Sequence, residues 1–367
     1  MNRREFIGGA GAFALTGCVA DGKESCRPEC GFVWANLVHF GRNMWGDVVS
    51  NKPRNRKGLT VAHLTDAEFE AMGAEEYRTH DHVRFNEPMW KELSSKLKAD
   101  GCNMIVIDIG EFLRYPSHPE LAVRGSWSAD RLQTEVRRLR RMGLEVVPKL
   151  NFSTCHHAWL GIYARMVSTP KYYEVCSELI RDTMDVFDKP RLFHLGFDEE
   201  HMPEYQPNSS LLVIRQGDLW WHDLYWFADE VQKYGSRPWI WSDFLRKNKL
   251  SEFVRRMPRT VVQSPWAYDI AKPSINCHKI RIFKQLADNG YDTIPCGSNC
   301  CGLSENFPAI SEWCARNLDP EHFKGMLMAP WYMMVPPMRR MQWEASDQIA
   351  EACRRVRAVN DFKSMTH

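Results

Sequence analysis

Eight short apolar runs punctuate the chain from residue 31 onward. They are GFVWANLVHF (31–40), CNMIVIDIG (102–110), GLEVVPKLNF (143–152), RLFHLGF (191–197), RPWIWSDF (237–244), TVVQSPW (260–266), YDTIPCG (291–297) and GMLMAPWYM (325–333). Each is short and rich in branched or aromatic side chains, which predicts buried strands. Between them, ADRLQTEVRRLRRMG, the stretch Tyr172 to Phe187 stopped near Pro190, DLYWFADEVQKYG and HKIRIFKQLADNG space their apolar residues at helical intervals. Strands of this kind, each followed by a helix, predict a parallel sheet covered by helices.

Eight such units favour a closed α/β (β/α)8 TIM barrel over a doubly wound sheet, and no Gly-rich phosphate turn follows the first strand. Gly41 to Arg84 is a long insertion after strand 1, irregular in GDVVSNKPRNRKG and helical in TDAEFEAMGAEEYR. There Thr65 or Asp66 is placed to cap, with Glu68 or Phe69 in the first turn. MRRMQWEASDQIAEACRRVRAV reads as the final barrel helix, so residues 31–367 are expected to form one domain.

Polar and aromatic residues gather where strands are predicted to end: Asn36 and His39, Asp108 and Glu111, Asn151, Asp198 and Glu199, Trp241 and Asp243, Trp266, and Trp331. In a barrel those ends form the active-site face. Polar loops explain isolated cases, but not this many indoles among carboxylates.

Of 367 residues, 44% are hydrophobic and 12% aromatic, ample for a large core. The 48 basic and 46 acidic residues nearly cancel and are dispersed, which excludes the basic footprint of a nucleic-acid binder. MNRREFIGGAGAFALTGC (1–18) reads as targeting: Arg3 and Arg4 precede a short apolar run, as in a twin-arginine export signal. Leu15, Thr16, Gly17 and Cys18 resemble a lipoprotein box whose Cys18 is lipidated. The expectation is export to the periplasm or cell envelope, membrane attachment through Cys18, and a tether over residues 19–30.

Twelve cysteines include Cys18. The eleven others cannot all pair, but an oxidising compartment permits one or two disulfides. Cys26 and Cys30 fall in the tether. Cys296, Cys300 and Cys301 cluster without the paired CxxC spacing of a zinc site, and Cys102 and Cys176 read as small buried residues.

The densest chemistry is RLFHLGFDEEHM (191–202). Adjacent carboxylates at Asp198 and Glu199 repel, which raises one pKa and suits a general acid. A solvated acidic loop is the plainer reading, but it leaves unexplained why the pair follows His194 and Gly196 on an apolar strand. His194, Leu195, Gly196, Phe197, Asp198 and Glu199 resemble the H-x-G-x-D-E motif of family 20 glycoside hydrolases, the β-N-acetylhexosaminidases, whose catalytic domain is a (β/α)8 barrel. The resemblance implies hydrolysis of terminal N-acetylhexosamine. Glu199 would be the general acid/base, and Asp198 would orient the 2-acetamido group that attacks the anomeric carbon. His194 would support the carboxylates, and Gly196 would permit close backbone packing.

Three features depart from that family. An arginine is usual near the end of strand 1, but here VWANLVHFGR carries Arg42 further along; a Pro-Gly-His turn after strand 3 is replaced by KLNFSTCHHAW with His156 and His157; and Trp331 is followed by Tyr332 and Met333 where relatives have a glutamate. Trp241, Trp266 and Trp331 are candidates to stack on sugar. Asp243, Tyr268 and Asp269 are candidates to hold hydroxyls or the acetamido group, and Asp108, Glu111, Asn151 and His157 complete the candidate substrate-binding set. Strand 7 has no carboxylate before Glu305, which favours substrate assistance or inversion; Asp243, Asp108 or Glu111 is the alternative second carboxylate of a glycosidase with other specificity. Neither an HxH after strand 1 nor an HExxH occurs, so no metal or cofactor is expected. A non-catalytic carbohydrate-binding barrel is the rival reading; oligomeric state leaves no trace in the pattern.

Overall fold

The computed structural model describes residues 31–44, 63–72, 79–200 and 213–365. The expected export segment with Cys18, the tether, most of the insertion after strand 1, and His201 lie outside them. Each apolar run holds one strand: β1 (Val33–His39), β2 (Met104–Asp108), β3 (Glu145–Lys149), β4 (Leu192–His194), β5 (Arg237–Trp241), β6 (Val262–Ser264), β7 (Cys296–Gly297) and β8 (Gly325–Met328). They form one 8-stranded parallel sheet in the order β6-β5-β4-β3-β2-β1-β8-β7. Bridges from Gln263 to Thr293 and from Trp266 to Cys296 join β6 to the β7 segment, so the sheet curls into the expected (β/α)8 barrel.

Alternation sorts each strand. Ala35, Leu37, Met104, Val106, Val147, Trp239, Trp241, Val262 and Leu327 fill the barrel interior, while Val38, Ile105, Ile107, Val146, Phe193 and Ile240 belong to the layer shared with the helices. The helices begin where local chemistry favours it. Asn86 caps α2 (Glu87–Ala99), Ser128 caps α3 (Ala129–Arg141), and Thr169 caps α4 (Pro170–Val186). In the insertion, Thr65 and Glu68 form the reciprocal pair of a capping box on α1 (Asp66–Met72), with bonds of 2.8 and 3.3 Å. Arg340, in the last helix (Arg339–Met365), then binds Glu68 at 2.7 Å and ties the insertion to the barrel.

Two features went unforeseen. A two-strand parallel piece, Leu113–Arg114 with Trp127–Ser128, follows β2 in the chain as a separate sheet, and strands that short leave no periodicity to read. The expected disulfides are absent among the described cysteines. All nine are free thiols, with Cys102, Cys176 and Cys314 packed separately as small apolar groups.

Around Glu200 lies a buried ionic knot. Arg215 contacts both oxygens of Glu200, reaches Asp223 at 3.0 Å on α5 (Asp218–Gln232), and donates to the Phe152 carbonyl at 2.9 Å. Its guanidinium also lies 4.6 Å from the Phe197 ring centroid. All three charged side chains are almost fully buried. Removing the cation alone leaves two buried carboxylates without their counter-charge. Arg215→Met is therefore expected to lower unfolding free energy by about 3–5 kcal/mol, measured by urea denaturation. A loss below about 1 kcal/mol would mean the knot behaves as a solvated surface pair.

Candidate active site

At the end of β4 the backbone leaves strand geometry. Gly196, Phe197 and Glu199 all have positive φ, at 79°, 66° and 59°. Only glycine fits the first position, because a Cβ there would lie 1.9 Å from Asn151 Oδ1. The other two conformations each cost about 1–3 kcal/mol and are held by surrounding contacts. Phe197 packs between the Arg215 guanidinium and the rings of Trp220 and Phe227. In an extended strand Asp198 and Glu199 would face opposite ways; the kink turns both toward His156.

His156 Nε2 lies 2.9 Å from Glu199 Oε2 and 3.5 Å from Asp198 Oδ2. Asn151 Nδ2 donates to Asp198 Oδ1 at 3.1 Å, Ser153 Oγ donates to the Asp198 carbonyl, and the Thr154 amide donates to Glu200 at 2.9 Å. The segment after β3 thus grips the segment after β4 residue by residue. Burial would lower the His156 pKa, but the charges of Asp198 and Glu199 outweigh it and hold the imidazole above its ordinary value. Burial, and next to it the Glu199 charge, raises the Asp198 carboxyl against the pull of His156 and Lys149. Asp198 and His156 are nearly inaccessible, while Glu199 keeps 14% of its side chain exposed, so Glu199 is the group of the three that a ligand meets. The same nitrogen and two carboxylates lie within 4.8 Å of one another, the one trio among the described residues spaced to hold a cation.

The other mouth carboxylates are committed elsewhere. Asp108 is 2.5 Å from the buried Lys149 ammonium and 3.3 Å from His39, and although burial opposes it these partners hold its pKa down to about 2. Glu111 Oε1 accepts from the Arg42 and Asn43 amides at 2.6 and 3.1 Å, while Oε2 makes no hydrogen bond among the described residues. Burial raises its carboxyl to about 7. Asp243 Oδ2 accepts from the Trp266 indole at 2.7 Å and Oδ1 faces Arg246 at 3.4 Å. Burial and then the nearby Asp198 and Glu199 charges, opposed by Arg246, leave its pKa at about 7. Glu305 pairs with Arg355 at 2.8 Å, half exposed, and Asp269 pairs with Lys279 at 2.7 Å, also partly exposed.

Among the aromatics, Trp241 and Trp331 approach to 6.1 Å, and Trp331 also lies 5.1 Å from His39 and 6.4 Å from Tyr268. The Trp241 indole nitrogen is buried and makes no hydrogen bond among the described residues. Trp266 has the Arg246 guanidinium 3.4 Å from its ring centroid and Tyr268 stacked at 4.7 Å, so less of its face is left for a sugar than the sequence pattern implied. His194 is buried against Trp239 and Trp241, and its Nδ1 accepts from the Gly196 amide at 3.1 Å. Its support goes to the backbone turn rather than to either carboxylate. Of the adjacent histidines, His156 meets the carboxylates, while His157, the expected ligand contact, faces Tyr172 at 3.4 Å with burial driving its pKa to about 3.

Sequence reasoning gave no role to Lys149, Arg215 or Glu200. Lys149 left a signal, an ionisable residue inside an apolar strand; Arg215 left none. Arg42 comes back to the mouth by tertiary packing: buried, it donates to the Trp331 carbonyl at 2.8 Å.

A buried acid raised to about 7 from an ordinary 4.5 sets a pH dependence. In the folded chain Glu111 keeps its proton between those values while the unfolded chain gives it up, so its contribution is full below 4.5, falls as pH rises, and is constant above 7. Glu111→Gln is expected to raise unfolding free energy by about 1–3 kcal/mol at pH 8 and to change little near pH 4.5, read from urea unfolding at both pH values. An equal change at both would contradict the raised pKa.

No family model matches the sequence, and no curated protein matches it. Solved structures do resemble the fold. A β-N-acetylhexosaminidase from Bacteroides fragilis superposes with a TM-score of 0.55 at 12% identity, over 86% of this chain and 65% of that one. The family 20 β-N-acetylhexosaminidase of Streptomyces coelicolor gives 0.55 at 14% identity, over 88% and 64%. Dispersin B gives 0.51 at 12%, over 73% and 95%. The chain therefore spans just under two thirds of the length of the Bacteroides and Streptomyces proteins, and what it has in common with all three is the barrel fold.

Proposed function

We propose that this chain is a glycoside hydrolase acting on glycans that end in N-acetylhexosamine. Glu199 gives its proton to the departing glycosidic oxygen while the substrate's own acetamido oxygen attacks the anomeric carbon. Asp198 orients that acetamido group and balances the positive charge that develops on it. Water then opens the intermediate, and Glu199 takes the proton back. The observation that carries this reading is the elimination among carboxylates. Asp198 and Glu199 share His156 at the mouth, while Asp108 is tied to Lys149 and Glu305 to Arg355. The lack of a carboxylate on strand 7 before Glu305 favours a nucleophile supplied by the substrate. The hexosaminidase-like barrel supports the same class of chemistry.

Asp243 sustains a second reading, a glycosidase with an enzyme carboxylate opposite Glu199. It is buried and close enough to Asp198 and Glu199 for their charges to raise its pKa. In either reading the segment 1–18 serves export, with lipidation at Cys18.

Glu199→Gln is expected to cut kcat on a poor-leaving-group N-acetyl-hexosaminide by about 10²–10⁴-fold with an unchanged unfolding curve. Asp198→Asn should hurt 2-acetamido substrates most. Both are checked in a screen of chromogenic glycosides; turnover confined to sugars without an acetamido group, lost in Asp243→Asn, would replace the first reading with the second. Turnover of none would leave a binding barrel. EDTA is expected to leave activity unchanged, and a loss restored by a divalent cation would mean that His156, Asp198 and Glu199 hold a metal.

A further inference from the structure

The segment after β7 holds two neighbouring thiols that the proposed reaction does not use. Side chains of adjacent residues normally diverge, yet Cys300 Sγ and Cys301 Sγ lie 3.9 Å apart. A fastened turn brings them together. Ser298 Oγ donates to the Ala329 carbonyl at 2.6 Å and accepts from the Cys300 amide at 2.9 Å; Asn299 Nδ2 donates to the Met341 carbonyl at 2.7 Å; and the Gly302 amide closes the turn on the Asn299 carbonyl at 3.0 Å. Gly302 adopts φ 71°, and a Cβ there would lie 2.6 Å from the His63 ring. Cys300 is buried and Cys301 half-buried, so Cys301 is the more accessible residue of the two.

We propose that Cys300 and Cys301 form a reversible dithiol modification site that takes low-molecular-weight disulfides. The Cys301 thiolate attacks one sulfur of the external disulfide, forms a mixed disulfide and releases one thiol. Cys300 then gives up its proton and attacks the Cys301 sulfur, which releases the second thiol and closes a Cys300–Cys301 bond. The two cysteines are oxidised and the external disulfide is reduced to two thiols. The pair is suited to these duties, since the hydrogen bond they share holds the Cys301 thiol below its ordinary pKa and that of Cys300 above it.

The product is a switch rather than a staple. Adjacent Cα atoms stand about 3.8 Å apart across a trans peptide, short of the roughly 4.4–6.8 Å usual for a disulfide, and strained disulfides are readily reduced. Cys300 packs with Tyr332, Met333 and Met338, and Cys301, Tyr268 and Trp331 pack against that cluster. Closing the bond therefore pulls on the wall formed by Tyr268 and Trp331; this consequence rests on the glycosidase reading, whereas the thiol chemistry does not.

The test treats the folded protein with oxidised glutathione and follows it by intact mass, peptide mapping and kinetics. The expected result is loss of two hydrogens, mapped to Cys300 and Cys301 and reversed by dithiothreitol. KM on an active glycoside should rise by about fivefold with kcat little changed, as when ground-state binding is weakened. Cys301→Ser should abolish the mass change and the KM response. Both thiols remaining free, or a stable glutathione adduct on Cys301 with no closure, would overturn the proposal. If no glycoside is turned over, the mass result still decides the dithiol, so that failure of the glycosidase reading is distinct from failure of this one.

Discussion

The buried contact of Arg215 with Glu200 and Asp223 is the constraint on which the site depends. One guanidinium joins the turn after β4, the helix α5 and the Phe152 carbonyl after β3. The turn it holds contains three residues with positive φ, two of them bulky or charged. Such a backbone persists only where its surroundings overdetermine it. Here those surroundings are Arg215 against Phe197, Asn151 against Gly196, and the Thr154 amide against Glu200. Glu200 thereby takes a structural duty, while Glu199 keeps part of its side chain exposed, so the acidic run Asp198, Glu199, Glu200 is differentiated by position.

Charge at the mouth is divided in the same way. Lys149 neutralises Asp108 deep in the barrel, and backbone amides hold one oxygen of Glu111. Asp243 is bound to an indole and faced by an arginine. Three carboxyls, those of Glu111, Asp198 and Asp243, have raised pKa values, in each case first through burial. Low dielectric surroundings make every one of these assignments costly to undo. His156, whose pKa both carboxylates raise, lies within reach of Asp198 and Glu199 at the same nitrogen.

Much of the fold was legible in the chain. The eight apolar runs each yielded one strand, and of the capping residues the sequence offered, Thr65 and Glu68 form the pair. Those signals are local: a strand or a cap is decided by neighbours in sequence, through side-chain alternation and a few hydrogen bonds. The motif at residues 194 to 199 was equally visible as a cluster of chemical types. What it could not convey was direction. His194 was expected to support the carboxylates and instead binds the Gly196 amide, and His157 was expected at the ligand but faces Tyr172, while His156 meets the carboxylates.

The sequence by itself determined the barrel and where its strands end, because periodicity and residue type suffice for those. Only the tertiary structure decided which carboxylates are spoken for. Lys149 finds Asp108 across 41 positions and His156 finds Glu199 across 43, while Arg42 reaches Trp331 across 289. A charge acquires its partner and its pKa from what burial and packing bring beside it, and neither quantity exists until the barrel closes.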